Sequence, residues 1–312
     1  MKTSTEAAPL VRHAINGPTM GTRYAAVFFA PEGITTDALG VALFDAVDRV
    51  DRQMSSWKPD SDLNRLNAAP VGEWVAIPRE LTTVLAEALT IGRATKGAFD
   101  IGVGALVSAW GFGPGLRQPD QSRIAAASAL PRAATTEALQ LDVTTSRARK
   151  VAPLTLDLSG IAKGFGVDEM ARVMDACGIR RWLVGIDGEM RARGVKPDGA
   201  PWAVAHERPD RHSREAMGVI ELTDMAVATS GNYRHWVEVD GRLLSHTMDP
   251  GTQRPVANGI ASVSVLANSC MAADAWATAF MVLGAEAASK RAADMRMGTI
   301  FVFDDGTVST TI

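Results

Sequence analysis

Apolar and polar positions alternate most clearly at residues 154–158, where Leu154, Leu156 and Leu158 are interleaved with Thr155 and Asp157. This is the period of a β-strand. Ser159 and Gly160 interrupt it. From Ile161 the period lengthens, with apolar residues at Ile161, Phe165, Met170, Val173, Met174 and Cys177, which predicts a helix closed by Gly178. A strand thus delivers Asp157, a turn of small residues exposes backbone, and the helix start carries Lys163. Helix N-termini present unpaired N–H groups and favour anions. Two readings stand here: an anion site, for instance for phosphate, or an ordinary strand-to-helix turn with a surface lysine.

Around this stretch the pattern predicts the following order. Residues 1–19 read as a loose lead-in. A strand over Tyr24–Phe29 follows, then an amphipathic helix from Thr36 to Gln53 with Leu39, Leu43, Phe44, Val47 and Val50 on one face. A polar stretch, residues 54–67, carries Trp57, either toward a ligand or packed at a domain edge. A second helix spans Arg79–Thr95. Residues 95–104 break the pattern with three glycines and place Phe99 beside Asp100. Residues 110–115 read as irregular, and a short helix is expected near 121–129.

After the central stretch, strands are expected at 182–186, 190–193, 202–206, 217–222, 226–229, 235–239, 242–244 and 262–267, with Asp240-Gly241 as a hairpin turn. Asp187 and Glu189 read as turn formers. Two hydroxyl-rich junctions, 229–233 and 245–255, interrupt the strands, and the second holds His246. Helices over 268–284 and 285–296 and a hairpin around 304–306 complete the chain. Asp274 and Thr278 stand at i and i+4 on an alanine-rich helix, so their oxygens share one face. A buried unpaired carboxylate is costly, and oxygen-only ligands suit Mg²⁺. A metal site is therefore preferred here over an exposed aspartate.

The order of elements argues for an α+β fold with mostly antiparallel sheet in one continuous unit. No Gly-x-Gly-x-x-Gly follows an early strand, so a doubly wound nucleotide fold fits poorly. Formal charge is −3 from 32 Lys+Arg and 35 Asp+Glu, which offers no general nucleic-acid surface. Two cysteines, Cys177 and Cys270, cannot form a disulfide framework and read as buried thiols. The absence of a Cys-x-x-Cys or His-rich pattern argues against zinc. No apolar run approaches ~20 residues, so no transmembrane helix is expected. As the chain stands a cytoplasmic location is expected; a removed leader would make it periplasmic.

Seven stretches occur in the order found in one known family: Met20-Gly-Thr22; Met54-Ser-Ser-Trp57 with Ser61-Asp-Leu-Asn64; Thr95-Lys-Gly-Ala-Phe-Asp100; Leu156 to Asp168; Ala228-Thr-Ser-Gly-Asn-Tyr233; His246-Thr-Met-Asp-Pro250; and Ala273-Asp-Ala-Trp-Ala-Thr278. Together they resemble the ApbE family of FAD:protein FMN transferases, over most of the chain from Met20 to Gly284. The resemblance implies a T-fold-like domain over 20–312. It also implies transfer of FMN from FAD to a Thr or Ser hydroxyl of a target flavoprotein, with Mg²⁺ as cofactor and AMP as leaving group. By the same resemblance, Met20, Trp57, Ala98, Phe99, Asp100, Asp157, Lys163 and Thr247 contact the flavin nucleotide. Gly160 (through its carbonyl), Asp274 and Thr278 hold the metal, and His246 is the general base. The chain differs from the family pattern at Asp187-Gly188-Glu189, where Gly-Gly-Asp is usual. It lacks the arginine of Asp-Pro-Arg-Thr-Gly at 249–253, and Trp57 replaces a common tyrosine. The alternatives are an FAD pyrophosphatase giving FMN and AMP, or a protein that binds FAD without chemistry.

Overall fold

The computed structural model describes residues 9–114, 118–129, 133–234, 236–239 and 241–311. Its centre is an eight-stranded antiparallel sheet. The strands are β1 (Leu10–Thr19), β2 (Thr22–Pro31), β3 (Trp182–Ile186), β4 (Glu189–Arg193), β5 (Ala226–Gly231), β6 (Ile260–Ala267), β7 (Gly298–Phe303) and β8 (Val308–Thr311). Their spatial order equals their chain order, so every strand pairs with its sheet neighbour in sequence, whatever lies between. Alternation sorts the side chains: Tyr24, Ala26, Phe28, Trp182, Val184 and Ile186 face one layer, and Val27, Phe29 and Leu183 face the other.

Helices cover the first face. They are α1 (Thr36–Met54), α2 (Arg79–Ala94), α3 (Ala162–Ala176), α4 (Cys270–Leu283) and α5 (Ala285–Met295). Leu39, Leu43 and Val47 of α1 meet Val167, Met170 and Met174 of α3. A two-stranded ribbon, Trp202–Glu207 with Ala216–Leu222, covers the second face through Trp202, Ile220 and Leu222. Among the described residues no helix is long and apolar enough to cross a membrane.

Three expectations are corrected. Residues 10–19 are not a loose lead-in: all ten pair in register with β2. Strand β1 is an edge strand whose positions alternate between exposed and half-buried or buried, but Leu10 and Ala14 fall on the exposed side and His13 on the other, so residue type shows no clear alternation. Residues 1–8 lie outside the described set. Residues 154–158 are extended but join no sheet; Thr155 makes one parallel bridge to Val103. Their backbone is satisfied by loops, with Asp157 N–H donating to the Ile101 carbonyl (2.7 Å) and Leu156 N–H to Asn67 Oδ1 (2.7 Å). Cys177 is exposed, whereas Cys270 is buried. Helix α3 ends at Ala176, and Cys177 already has the dihedrals of its cap (φ −79°, ψ 4°). The hairpin expected at Asp240-Gly241 is present as Trp236–Val239 paired with Arg242–Ser245; His235, Asp240, Gly115 and Pro131 lie outside the described residues.

One glycine governs how the two central helices meet. A Cβ on Gly164 would lie 2.3 Å from the Cys270 carbonyl oxygen and 2.8 Å from Asp274 Cβ. Backbone cannot yield as a flexible side chain does, so Gly164→Ala is expected to destabilise by about 2–3 kcal/mol. That lowers the melting temperature by roughly 3–5 °C. An unshifted thermal melt would show that α3 and α4 separate freely.

Candidate active site

The stretch 157–164 is a tight device. Asp157 Oδ1 accepts from the Ser159 N–H (2.9 Å) and from its hydroxyl, holding the turn in an Asx geometry. Gly160 then sits against α4: a Cβ there would lie 2.8 Å from Thr278 Oγ1. The Thr278 hydroxyl is 3.1 Å from Ser230 Oγ at the end of β5. Four residues beyond Gly160, the Gly164 N–H donates to Asp274 Oδ2 (2.9 Å). The structure thus brings Gly160, Asp274 and Thr278 together from two distant segments.

The tilt of α4 is fixed at its start. Ser269 Oγ accepts from the Ala272 N–H (3.2 Å), a normal N-cap. Buried Asp168 on α3 accepts from the N–H groups of Cys270 and Met271, both at 3.0 Å, and pairs with Arg191 at 2.6 Å. A carboxylate on two orphan helix donors complements the helix dipole.

Asp274 is only 4% exposed. Burial, and secondly the nearby Glu189 carboxylate, push its pKa up to about 7, against the opposing pull of Lys163 and the Gly164 N–H. Glu189 is 2% exposed; burial raises its pKa, and Lys163 counteracts this. Lys163 Nζ donates to Glu189 Oε1 at 2.8 Å and lies 3.9 Å from Asp187 Oδ2. Burial works to lower its pKa, but Glu189, Asp274 and Asp187 outweigh it and hold Lys163 above its ordinary range. Glu189 Oε2 is buried without a hydrogen-bond partner among the described residues.

The remaining candidates line adjoining segments. Thr95 Oγ1 accepts from the Phe99 N–H (3.0 Å), which closes the loop that buries Phe99 and leaves Ala98 half-buried. Asp100 is drawn toward Thr135, whose N–H (3.2 Å) and hydroxyl both donate to it, and also accepts from the Gly102 N–H (2.7 Å). Its carboxylate therefore shapes the loop. The Ile101–Asp157 hydrogen bond lays this loop beside Asp157. Met20 takes φ +46° in the β1–β2 turn, and its methyl group lies near Gly166 of α3. The Trp57 side chain is not packed at a domain edge: the residue is 57% exposed, while its backbone N–H bonds Ser55 Oγ (3.2 Å). The His246 ring meets Phe112 edge-on at 6.2 Å. Thr247 is buried, and its N–H donates to Ser245 Oγ (3.0 Å), which in turn bonds Asn232. The His246 loop is thereby tethered two residues beyond Ser230.

Asp187 and Glu189, turn formers by their sequence, both belong to the charged cluster around Lys163. Asp187, at φ +53°, pairs with Arg234 at 2.7 Å, and Arg234 also pairs with Glu207. The strand itself, Glu-Met-Arg-Ala-Arg, carries no local signal that its glutamate is buried. Ser230 was missed as well; it stood unremarked in a hydroxyl-rich junction. Among the described residues no three His, Cys, Asp or Glu side chains group to hold a metal. The oxygens available are one carboxylate, one hydroxyl and backbone, a donor set that suits Mg²⁺ better than a transition metal.

Comparison with known proteins agrees with this architecture. The model of the ApbE family matches residues 20–302. The FAD:protein FMN transferase of Vibrio cholerae serotype O1 is 40% identical over 276 residues, which is 87% of this chain and 81% of the relative. That of Escherichia coli strain K12 is 34% identical over 280 residues, covering 88% and 80%. Among solved structures, the flavin transferase ApbE from Vibrio cholerae superposes with a TM-score of 0.85 at 36% identity, covering 97% of each chain. The apo flavinyl transferase ApbE of Pseudomonas stutzeri gives 0.83 at 34% identity, covering 98% of this chain and 96% of its own. With the family model matching residues 20–302, relatives at 34–40% identity over most of its length and the same fold, this chain belongs to the ApbE family.

Proposed function

We propose that this flavin transferase moves the FMN half of FAD onto a Thr or Ser hydroxyl of an acceptor flavoprotein, with Mg²⁺ and with AMP as leaving group. The observation that carries the reading is the grouping of buried Asp274 with half-buried Thr278 and Gly160 beside Lys163. A carboxylate pushed up to about 7 by burial is one that a cation would relieve, so these residues fit Mg²⁺. When bound there, Mg²⁺ supplies charge neutralisation at the pyrophosphate oxygens.

The chain's own residues would do the rest. Lys163, kept charged by three carboxylates, adds a fixed positive charge at the phosphates. Half-buried Met20 and exposed Trp57 offer apolar surface to the rings, while Phe99, packed in the core, anchors the loop that carries Asp100. His246 accepts the proton of the attacking hydroxyl. The hydroxyl oxygen bonds to the FMN phosphorus, the P–O–P bridge breaks, and AMP carries away the electron pair. Incubation with FAD, Mg²⁺ and a flavin-free acceptor subunit is expected to add the mass of FMN less water to that subunit and to release one AMP per adduct. AMP release over many turnovers without an adduct would mean that water is the acceptor. Tight FAD binding with neither product would mean a binding protein.

A further inference from the structure

Among the described residues the hairpin Trp236–Val239/Arg242–Ser245 belongs to no larger sheet, and an isolated two-stranded hairpin is marginally stable in water. Directly opposed residues share a face. Trp236 opposes Ser245, and Glu238 opposes Leu243, so Trp236, Glu238 and Leu243 lie on one side. Val237, on the other side, is buried. The outward side nevertheless exposes two large apolar groups, Trp236 at 43% and Leu243 at 39%. Both ends of the hairpin are rooted in the site: it leaves two residues after Arg234 and returns at Ser245, next to His246, and the Ser245–Asn232 hydrogen bond ties its base. None of the candidate FAD- or metal-contacting residues lies on it.

We infer that the Trp236–Leu243 face of this hairpin docks the acceptor flavoprotein, which rests on the transferase reading above. A transferase acting on a protein must hold that protein while one of its hydroxyls reaches the site. At about 3.3 Å per residue, Leu243 stands roughly 10 Å along the strand from His246. A partner seated on this face therefore presents a neighbouring segment to the general base. A tryptophan beside a leucine, rimmed by Glu238, is the composition of an interface anchor.

The probe is a flavoprotein subunit that carries phosphoester-linked FMN, produced without its flavin, with FAD and Mg²⁺ present. The variant Trp236→Ala/Leu243→Ser is expected to raise KM for this subunit at least tenfold. Its kcat should stay within threefold, and its FAD affinity, read by flavin fluorescence, should not change. Trp236→Phe should restore KM to within threefold. Leu243→Lys, a change at an exposed site that leaves the tryptophan in place, should raise KM as well. An unchanged KM in both Trp236→Ala/Leu243→Ser and Leu243→Lys overturns the inference. So does a parallel loss of FAD affinity, which would assign the hairpin to the nucleotide site. A change confined to self-association in sedimentation would overturn it too, because a second copy would then cover the face. Failure of the unaltered enzyme to modify the subunit, despite FAD binding, removes the transferase reading itself and the inference with it.

Discussion

Asp274→Asn is expected to lower Mg²⁺-dependent FMN transfer by about 10³-fold, equivalent to ~4 kcal/mol, without weakening the metal-free fold. The amide is isosteric and its oxygen can still accept the Gly164 N–H, so the α3–α4 contact survives. What disappears is a buried negative charge. The carboxyl has a pKa near 4 in an unfolded chain and is pushed up to about 7 in the folded protein. The folded state thus binds that proton more tightly. Its contribution to stability is complete below the unfolded value and is lost as pH rises to about 7 and beyond. Glu189, raised by burial, acts in the same direction. Metal-free wild type should therefore lose more thermal stability than Asp274→Asn between pH 5 and pH 8. Mg²⁺ should restore it at pH 8 in the wild type only. Equal pH slopes with equal Mg²⁺ responses would remove Asp274 from the metal site.

His246→Ala is expected to reduce transfer by about 10²–10⁴-fold, the usual worth of a positioned general base, while FAD affinity stays within a few-fold. The loop is held by the Thr247 N–H on Ser245 Oγ and by the Val256 N–H on the Thr247 carbonyl (2.9 Å). Loss of the ring should therefore leave its path intact. Single-turnover rates with FAD prebound make the test; a variant as fast as wild type would place the base elsewhere.

Much of the fold was legible because long periodic stretches behave locally. The 3.6-residue stripe of α1, except Phe44, which is exposed, and the ends of α3 and α4 beside Gly178 and Gly284 follow from spacing and cap residues. Strand β1 escaped because, on this edge strand, apolar and polar residue types are mixed on both of its alternating sides. The segment 154–158 misled for the opposite reason: its leucines alternate to enter the core, yet Asn67 and the 101–104 loop take its backbone hydrogen bonds. Of the candidate site residues, Asp274 and Thr278 could be paired by helical spacing. Gly160 came by resemblance, and Glu189 could not be recognised before the sheet brought β4 against Lys163. A turn glutamate and a buried one are identical until long-range packing decides which face is wet.

That dependence on packing has a kinetic side, carried by the Gly164–Asp274 hydrogen bond. Its partners are 110 positions apart, those of Asp168 and Cys270 102 apart, and those of Asn67 and Leu156 89 apart. Contacts of such separation form late, after the entropy of closing long loops has been overcome. A chain that has made only the β1–β2 hairpin and α1 holds neither half of the charged cluster. On the proposed reading, FAD and Mg²⁺ recognise only the completed protein, and their binding would draw the last docking step forward by mass action. Partly folded chains have no assembled centre with which to act on FAD.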